Sequence, residues 1–128
     1  MRIEVSNGDI VDKFTIILIK LDKIKNEDKL VNIKIEYSVL LEAIQKIGIN
    51  QNSKHFDLLQ ELKIVNQKLW EIEDEIRDKE RLQEFDKNFI NLARSIYYLN
   101  DERADIKRQV NLVTKSRFTE EKQYVSYK

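Results

Sequence analysis

An all-α four-helix bundle, built on a long antiparallel helical hairpin and followed by a C-terminal tail, is predicted from three features of the sequence. The chain has no proline and only two glycines, Gly8 and Gly48, so it lacks the strong breakers that punctuate β-rich folds. Apolar residues recur in alternating steps of three and four along four separate stretches, which is the period of one helix face. The last two stretches are joined by only a few residues, so their helices must run antiparallel and side by side.

Each element has its own signal. "VSNGDIVDKF" reads as a helix start, with Ser6 placed to cap the amide near Asp9 and Asp9 in the acidic slot of a capping box. The first helix is expected over 8 to 25 on the stripe Ile10, Phe14, Ile17, Leu21, Ile24; residues 2 to 5, "RIEV", alternate and suit a short extended arm. The second is expected over 28 to 47 on Leu30, Ile33, Tyr37, Leu40, Ile44, Ile47, and stops at Gly48, which suits the left-handed position after a helix. "GINQNS" is polar and without period, hence a loop, with Ser53 as a candidate cap. The third helix, 54 to 83, carries Leu58, Leu62, Val65, Leu69, Ile72, Ile76, and the fourth, 86 to 114, opens at Asp86 as N-cap.

Helices of that size are about 45 Å long. The first two are too short to cover such a hairpin. One hairpin end must therefore protrude, pack on a second copy as a homodimer, or be covered by the tail, 115 to 128, whose polar "SRFTEEKQYVSYK" has no clear period. The whole chain, 1 to 128, is expected to form one domain.

Composition removes several classes of function. Basic and acidic residues balance at 23 each, so no global field favours nucleic acid or an anionic membrane. There is no cysteine and one histidine, His55, which leaves no thiolate, no disulfide framework and no His-rich metal site; His55 suits a surface or capping role. The longest apolar run is "IILI" at 16 to 19, so neither a membrane span nor a signal peptide is expected, and the expected location is cytoplasmic.

The best functional clue lies in the fourth stripe: Phe89, Leu92, Ile96, Leu99, Arg103, Ile106, Val110, Val113. One of these eight inward positions is a permanent cation. A buried, unpaired guanidinium would cost several kcal/mol, so Arg103 must meet a carboxylate, reach solvent, or face a cavity that takes an anion. Pairing residue i with roughly 169 minus i across the hairpin places Arg103 opposite Asn66.

Beside the two seams run polar stripes, Asn66, Trp70, Glu73, Arg77, Glu80 on the third helix and Ala93, Tyr97, Asn100, Ala104, Lys107, Asn111 on the fourth. If they face each other or the first helix, they line a pocket of cations, amides and rings that suits an anionic or sugar-like ligand. The competing expectation is a fixed salt-bridge network of Glu73, Arg77 and Arg103 that sets helix register. Asp12 and Lys13 of the first helix can join either arrangement.

An enzymatic alternative rests on Glu71 with Asp74 and Glu102 with Asp105. Their spacing resembles the paired acidic turns of all-α nucleoside triphosphate pyrophosphatases, a resemblance that implies Mg2+-dependent nucleotide hydrolysis. On the helical wheel Glu71, Asp74, Glu75 and Asp78 lie away from the seam, which favours a solvated acidic face. No glycine-rich phosphate loop is present, and neither Ser95 nor Ser116 has a histidine partner at a recognisable spacing.

As a set, "EVSNGDIVDKFTIILIK", "VNQKLWEIEDEIRDKE", "FDKNFINLARSIYYLNDERADIKRQVN" and "EEKQY" resemble an uncharacterised family of small helical proteins from bacteria and marine phages. Its V-S-x-G-[DE]-x-x-D-K opening, L-W-[DE]-I-E-D and N-D-E-R are matched over nearly the whole chain. The resemblance implies no established activity. It points to Ser6, Gly8, Asp12, Lys13, Asn66, Trp70, Glu73, Asp74, Arg77, Arg94, Tyr97, Asn100, Asp101, Arg103, Lys107, Glu121, Lys122 and Tyr124 as motif positions, and Arg94 joins the candidate site on that ground alone. The function expected from the sequence is a non-catalytic binding or assembly module without a cofactor. Its candidate site comprises Asp12, Lys13, Asn66, Trp70, Glu73, Arg77, Arg94, Tyr97, Asn100, Arg103 and Lys107.

Overall fold

A computed structural model describes residues 1 to 52 and 55 to 118. Ser53, Glu121, Lys122 and Tyr124, and the tail from 119 onward, lie outside the described residues. Four helices are present, α1 (Asn7–Lys23), α2 (Glu27–Ile47), α3 (Phe56–Leu82) and α4 (Lys87–Val113), with no strand among the described residues. They form an all-α four-helix bundle with α1 as its hub. α1 packs against each of the other three, whereas the backbone of α2 runs beside α1 and beside neither α3 nor α4.

The ends of the helices follow local chemistry. The Ser6 hydroxyl accepts from the Asp9 amide at 3.1 Å, Asn26 accepts from the Lys29 amide at 3.0 Å, and Asp86 accepts from the Phe89 amide at 2.9 Å. Each takes up an N–H that the helix itself leaves without a partner. Gly48 closes α2 at φ +93, a conformation that costs a side-chain-bearing residue free energy. Gln83 holds the equivalent position after α3 at φ 58. His55 stands at the N-cap of α3 but makes no capping bond with its side chain.

The hub position explains why the stripe expected for α1 is too narrow. Phe14 and Ile17 are buried as that stripe requires, but so are Val11, Asp12, Thr15 and Ile19 on other faces. A helix surrounded on three sides must be apolar nearly all round, and "TIILI" supplies that. Phe14 stacks on Tyr37 of α2 with ring centroids 5.7 Å apart. The core continues through Ile44, Leu59, Leu62, Val65, Leu69, Ile106 and Val110. Each such side chain contributes about 1.5 to 3 kcal/mol on leaving water.

Burial stops abruptly along the hairpin. No residue from Trp70 to Asp105 is buried, although Ile72, Ile76, Leu92, Ile96 and Leu99 are half-buried in the α3/α4 seam. The hairpin thus has a body half covered by α1 and an arm that extends beyond it. A Lys79 ammonium 3.1 Å from Asp86 ties the turn at the tip of that arm.

Candidate functional site

The site grows from the crossing of α1 over the hairpin. Steps of three place Asp9, Asp12 and Thr15 on one side of α1, where α3 supplies Asn66 and α4 supplies Arg103 and Lys107. Arg103 forms a side-on, two-point pair with Asp12: Nε donates to Oδ1 at 2.9 Å and Nη2 to Oδ2 at 2.6 Å. Asn66 Nδ2 donates to the same Oδ1 at 2.9 Å and to the Thr15 hydroxyl at 2.8 Å. The Thr15 hydroxyl in turn donates to the Asp12 carbonyl at 2.7 Å. Asn66 and Arg103 therefore meet on one carboxylate oxygen, as the antiparallel register requires.

The inward guanidinium is thus neutralised from α1, not from α3. Glu73, the expected carboxylate partner, is exposed and acts on Arg103 only through its charge. One turn away, Lys107 Nζ lies 2.8 Å from Asp9 Oδ1, so two acid and base pairs bind α1 to α4. The remaining contacts close the N-terminus of α1. The Gly8 amide donates to Asn111 Oδ1 at 2.6 Å, the Asn7 amide to the Ser116 hydroxyl at 2.9 Å, and Asn7 Nδ2 to the Thr114 hydroxyl at 3.0 Å. Gly8 is required sterically, because a Cβ there would lie 2.5 Å from the Lys107 carbonyl oxygen.

The electrostatics are those of a closed clamp. Burial by itself would raise the Asp12 carboxyl, but hydrogen bonds from Arg103 and Asn66 and the charges of Arg103 and Lys107 outweigh it and hold the group below its ordinary value. Arg103 is held above its ordinary value chiefly by its bond to Asp12, against burial and with added help from the charges of Asp12, Asp9 and Glu73. Among the described residues every buried side-chain nitrogen and oxygen has a hydrogen-bond partner. Asp12 has only 6% of its side chain exposed, whereas Arg103 keeps 32%.

Of the residues singled out in the sequence, Asp12, Asn66, Arg103 and Lys107 come together here. Trp70 is half-buried at the edge, and Lys13, Glu73, Arg77, Arg94, Tyr97 and Asn100 lie on the surface. Arg94 Nε reaches the Tyr97 hydroxyl at 3.4 Å. Sequence reasoning missed Thr15, hidden inside an apolar run, and missed that the amides of Asn7 and Gly8 take side-chain acceptors from α4 and its C-terminal end. The signal that was available is the pair of motifs. The opening V-S-x-G-[DE]-x-x-D-K and the distant N-D-E-R are two halves of one contact, 91 residues apart at Asp12 and Arg103.

The hydrolase alternative needs Glu71, Asp74, Glu102 and Asp105 gathered around one ion. All four are exposed, Asp105 accepts from Gln109 at 3.0 Å, and among the described residues no group of three or more Asp, Glu or His side chains is arranged to hold a metal. No helix of the described residues is long and apolar enough to cross a membrane.

A family of unknown function, DUF6165, matches residues 1–127. The chain belongs to that family. No curated protein and no solved structure matches the chain. Membership in DUF6165 fits the resemblance seen in the motifs and adds no activity to it.

Proposed function

We propose that the chain is a non-catalytic binding and assembly module, in which the α1 crossing is a structural clamp and the uncovered hairpin arm is the surface presented to a partner. The observation that carries this reading is that no residue from Glu71 to Asn100, the stretch beyond the clamp residue Arg103, is buried. Two helices of an antiparallel pair bury only one stripe each between them, and the outer faces of this arm carry Leu82, Phe85, Ile90, Tyr97 and Tyr98 at 40% exposure or more. Exposed large apolar side chains also stand elsewhere, Val31, Ile35 and Val39 on α2 among them, but the arm adds the rings of Phe85, Tyr97 and Tyr98, and aromatic side chains are enriched at interfaces. The clamp serves this role by fixing the body, so that the arm projects in one direction.

A photo-crosslinking amino acid placed at Arg94 or Tyr98, and in a control at Asp57 on the body, tests the reading in the native cell. Adducts from the arm positions and none from Asp57 support it. Equal labelling, or none at the arm, overturns it.

A second reading, a small anionic or sugar-like ligand bound beside the clamp, is favoured by one detail. Arg103 uses Nε and Nη2 on Asp12, which leaves the Nη1 edge of a one-third exposed side chain outside that pair. Trp70, Glu73, Arg77, Tyr97 and Asn100 follow on the helix faces that continue from Asn66 and Lys107. Titration calorimetry with citrate, inorganic phosphate and a sugar phosphate would support this reading by a heat that disappears in Arg103→Met. No heat with any of the three would end it.

A further inference from the structure

We infer that residues 119 to 128 of this chain dock on the outer face of α2, where Tyr124, Val125 and Tyr127 cover an apolar ridge. The inference concerns the body of the protein and does not depend on the part assigned to the hairpin arm. α2 runs beside α1 alone, so the side turned away from α1 has no described helix against it. On that side Val31, Ile35 and Val39 are 59%, 61% and 64% exposed. They stand four residues apart, and two further steps of four lead to Ala43 and Ile47, so all five belong to one ridge of the helix surface.

The ridge ends in a groove. Ala43 and Ile47 line it together with Ile3, Val5 and Ile10, and its volume is about 490 Å³. A contiguous apolar strip left in water marks an interaction site.

The occupant follows from where the described chain leaves the bundle. The Asn7 amide donates to the Ser116 hydroxyl at 2.9 Å, and Arg117 Nη1 lies 3.1 Å from Oε2 of Glu4, itself a lining residue of the groove. From Ser116 to Arg117 the partner moves back from Asn7 to Glu4, so the outgoing segment runs antiparallel to residues 2 to 7 and heads into the groove. Ten residues span at most about 33 to 36 Å, and the ridge from Ile47 to Val31 is about 24 Å long at 1.5 Å per residue. The segment "TEEKQYVSYK" is therefore long enough to follow it. Its apolar side chains stand in its second half, which reaches the part of the ridge that is most exposed.

Charge agrees with that path. Continued in the same sense, Glu120 and Glu121 pass Arg2, which is exposed, and opposite charges guide a docking segment into register.

A nitroxide label on Ser126→Cys of the full chain, read by NMR as loss of amide signal, locates the segment; the chain has no cysteine of its own. The expected result is selective loss along α2 from Val31 to Ile47 and at residues 3 to 5, with none at the hairpin tip from Lys79 to Lys87. Val39→Glu, at a side chain that is 64% exposed, should restore those signals without lowering the melting temperature. The inference is overturned if α2 loses no more signal than the hairpin tip, or if the loss persists in Val39→Glu. It is overturned equally if an isotope-enriched chain without the label shows the same loss when mixed with the labelled one, because the occupant is then a second copy.

Discussion

Replacing Arg103 by Met should destabilise the protein more than replacing Asp12 by Asn, and should reverse the sign of its acid response. In Arg103→Met the Asp12 carboxylate, 6% exposed, keeps only the Asn66 hydrogen bond of its three side-chain donors. Removing one member of a buried pair costs about 3 to 5 kcal/mol. In Asp12→Asn the uncovered group is Arg103, whose side chain is 32% exposed and can regain water. Asparagine also keeps an acceptor for Asn66, so the loss should be about 1.5 to 2.5 kcal/mol, close to one charged hydrogen bond.

The pH dependence separates these cases further. In the parent the folded carboxyl of Asp12 lies below its ordinary value of 3.8. The unfolded chain therefore binds the proton first, and the stability contributed by the pair is complete above 3.8 and is lost as pH falls through the folded value. In Arg103→Met burial is no longer opposed by the guanidinium, the folded carboxyl rises above 3.8, and acidification down to that value should stabilise the protein relative to neutral pH. Urea unfolding of the parent and both variants at pH 7 and at two acid values measures all of this. The reasoning is refuted if Arg103→Met is as stable as the parent at pH 7, or if its stability falls with acid in parallel with the parent.

Other outcomes follow from neighbouring contacts. Gly8→Ala should lower stability by about 1 to 3 kcal/mol, the cost of overpacking, because the obstacle is the backbone carbonyl of Lys107; a thermal melt checks it. Asn111→Leu leaves the Gly8 amide without its acceptor and should cost about 1 to 3 kcal/mol, measured in the same way. Gln83→Gly, at a left-handed helix end, should stabilise by about 0.5 kcal/mol, while Gly48→Ala at φ +93 should destabilise by about 1 kcal/mol. Millimolar magnesium should leave the melting temperature unchanged, because Glu71, Asp74, Glu102 and Asp105 do not converge; a rise of several degrees would reinstate the hydrolase alternative.

The helices were legible because each has a period and three of their ends carry a local signal: Ser6, Gly48 and Asp86 act where local chemistry places them, whereas His55 opens α3 without a side-chain capping bond and Gln83 closes it. The hairpin register was legible for the same reason, since a short turn leaves one antiparallel alignment, and Asn66 and Arg103 meet on one carboxylate as that alignment demands. What a single sequence could not order was the third partner. α1 is apolar on several faces, so its stripe did not reveal which side carries Asp12 toward the seam, and Glu73 stood closer in the pattern. Glu73, Arg77 and Asn100 lie on stripes that begin in the site, yet the site ends at the α1 crossing, at Thr15, and the stripes continue into water. Thr15 could not be distinguished from its β-branched neighbours, because a hydroxyl bonded to its own helix leaves no mark on hydrophobic periodicity.

The carbon-13 shift of the Asp12 carboxyl, followed by NMR from neutral to acid pH, tests the clamp most directly. A midpoint below 3.8 in the parent, moving above it in Arg103→Met, is the result the Asp12 and Arg103 pair requires. A parent midpoint at or above the ordinary value would mean that α1 does not neutralise the inward guanidinium.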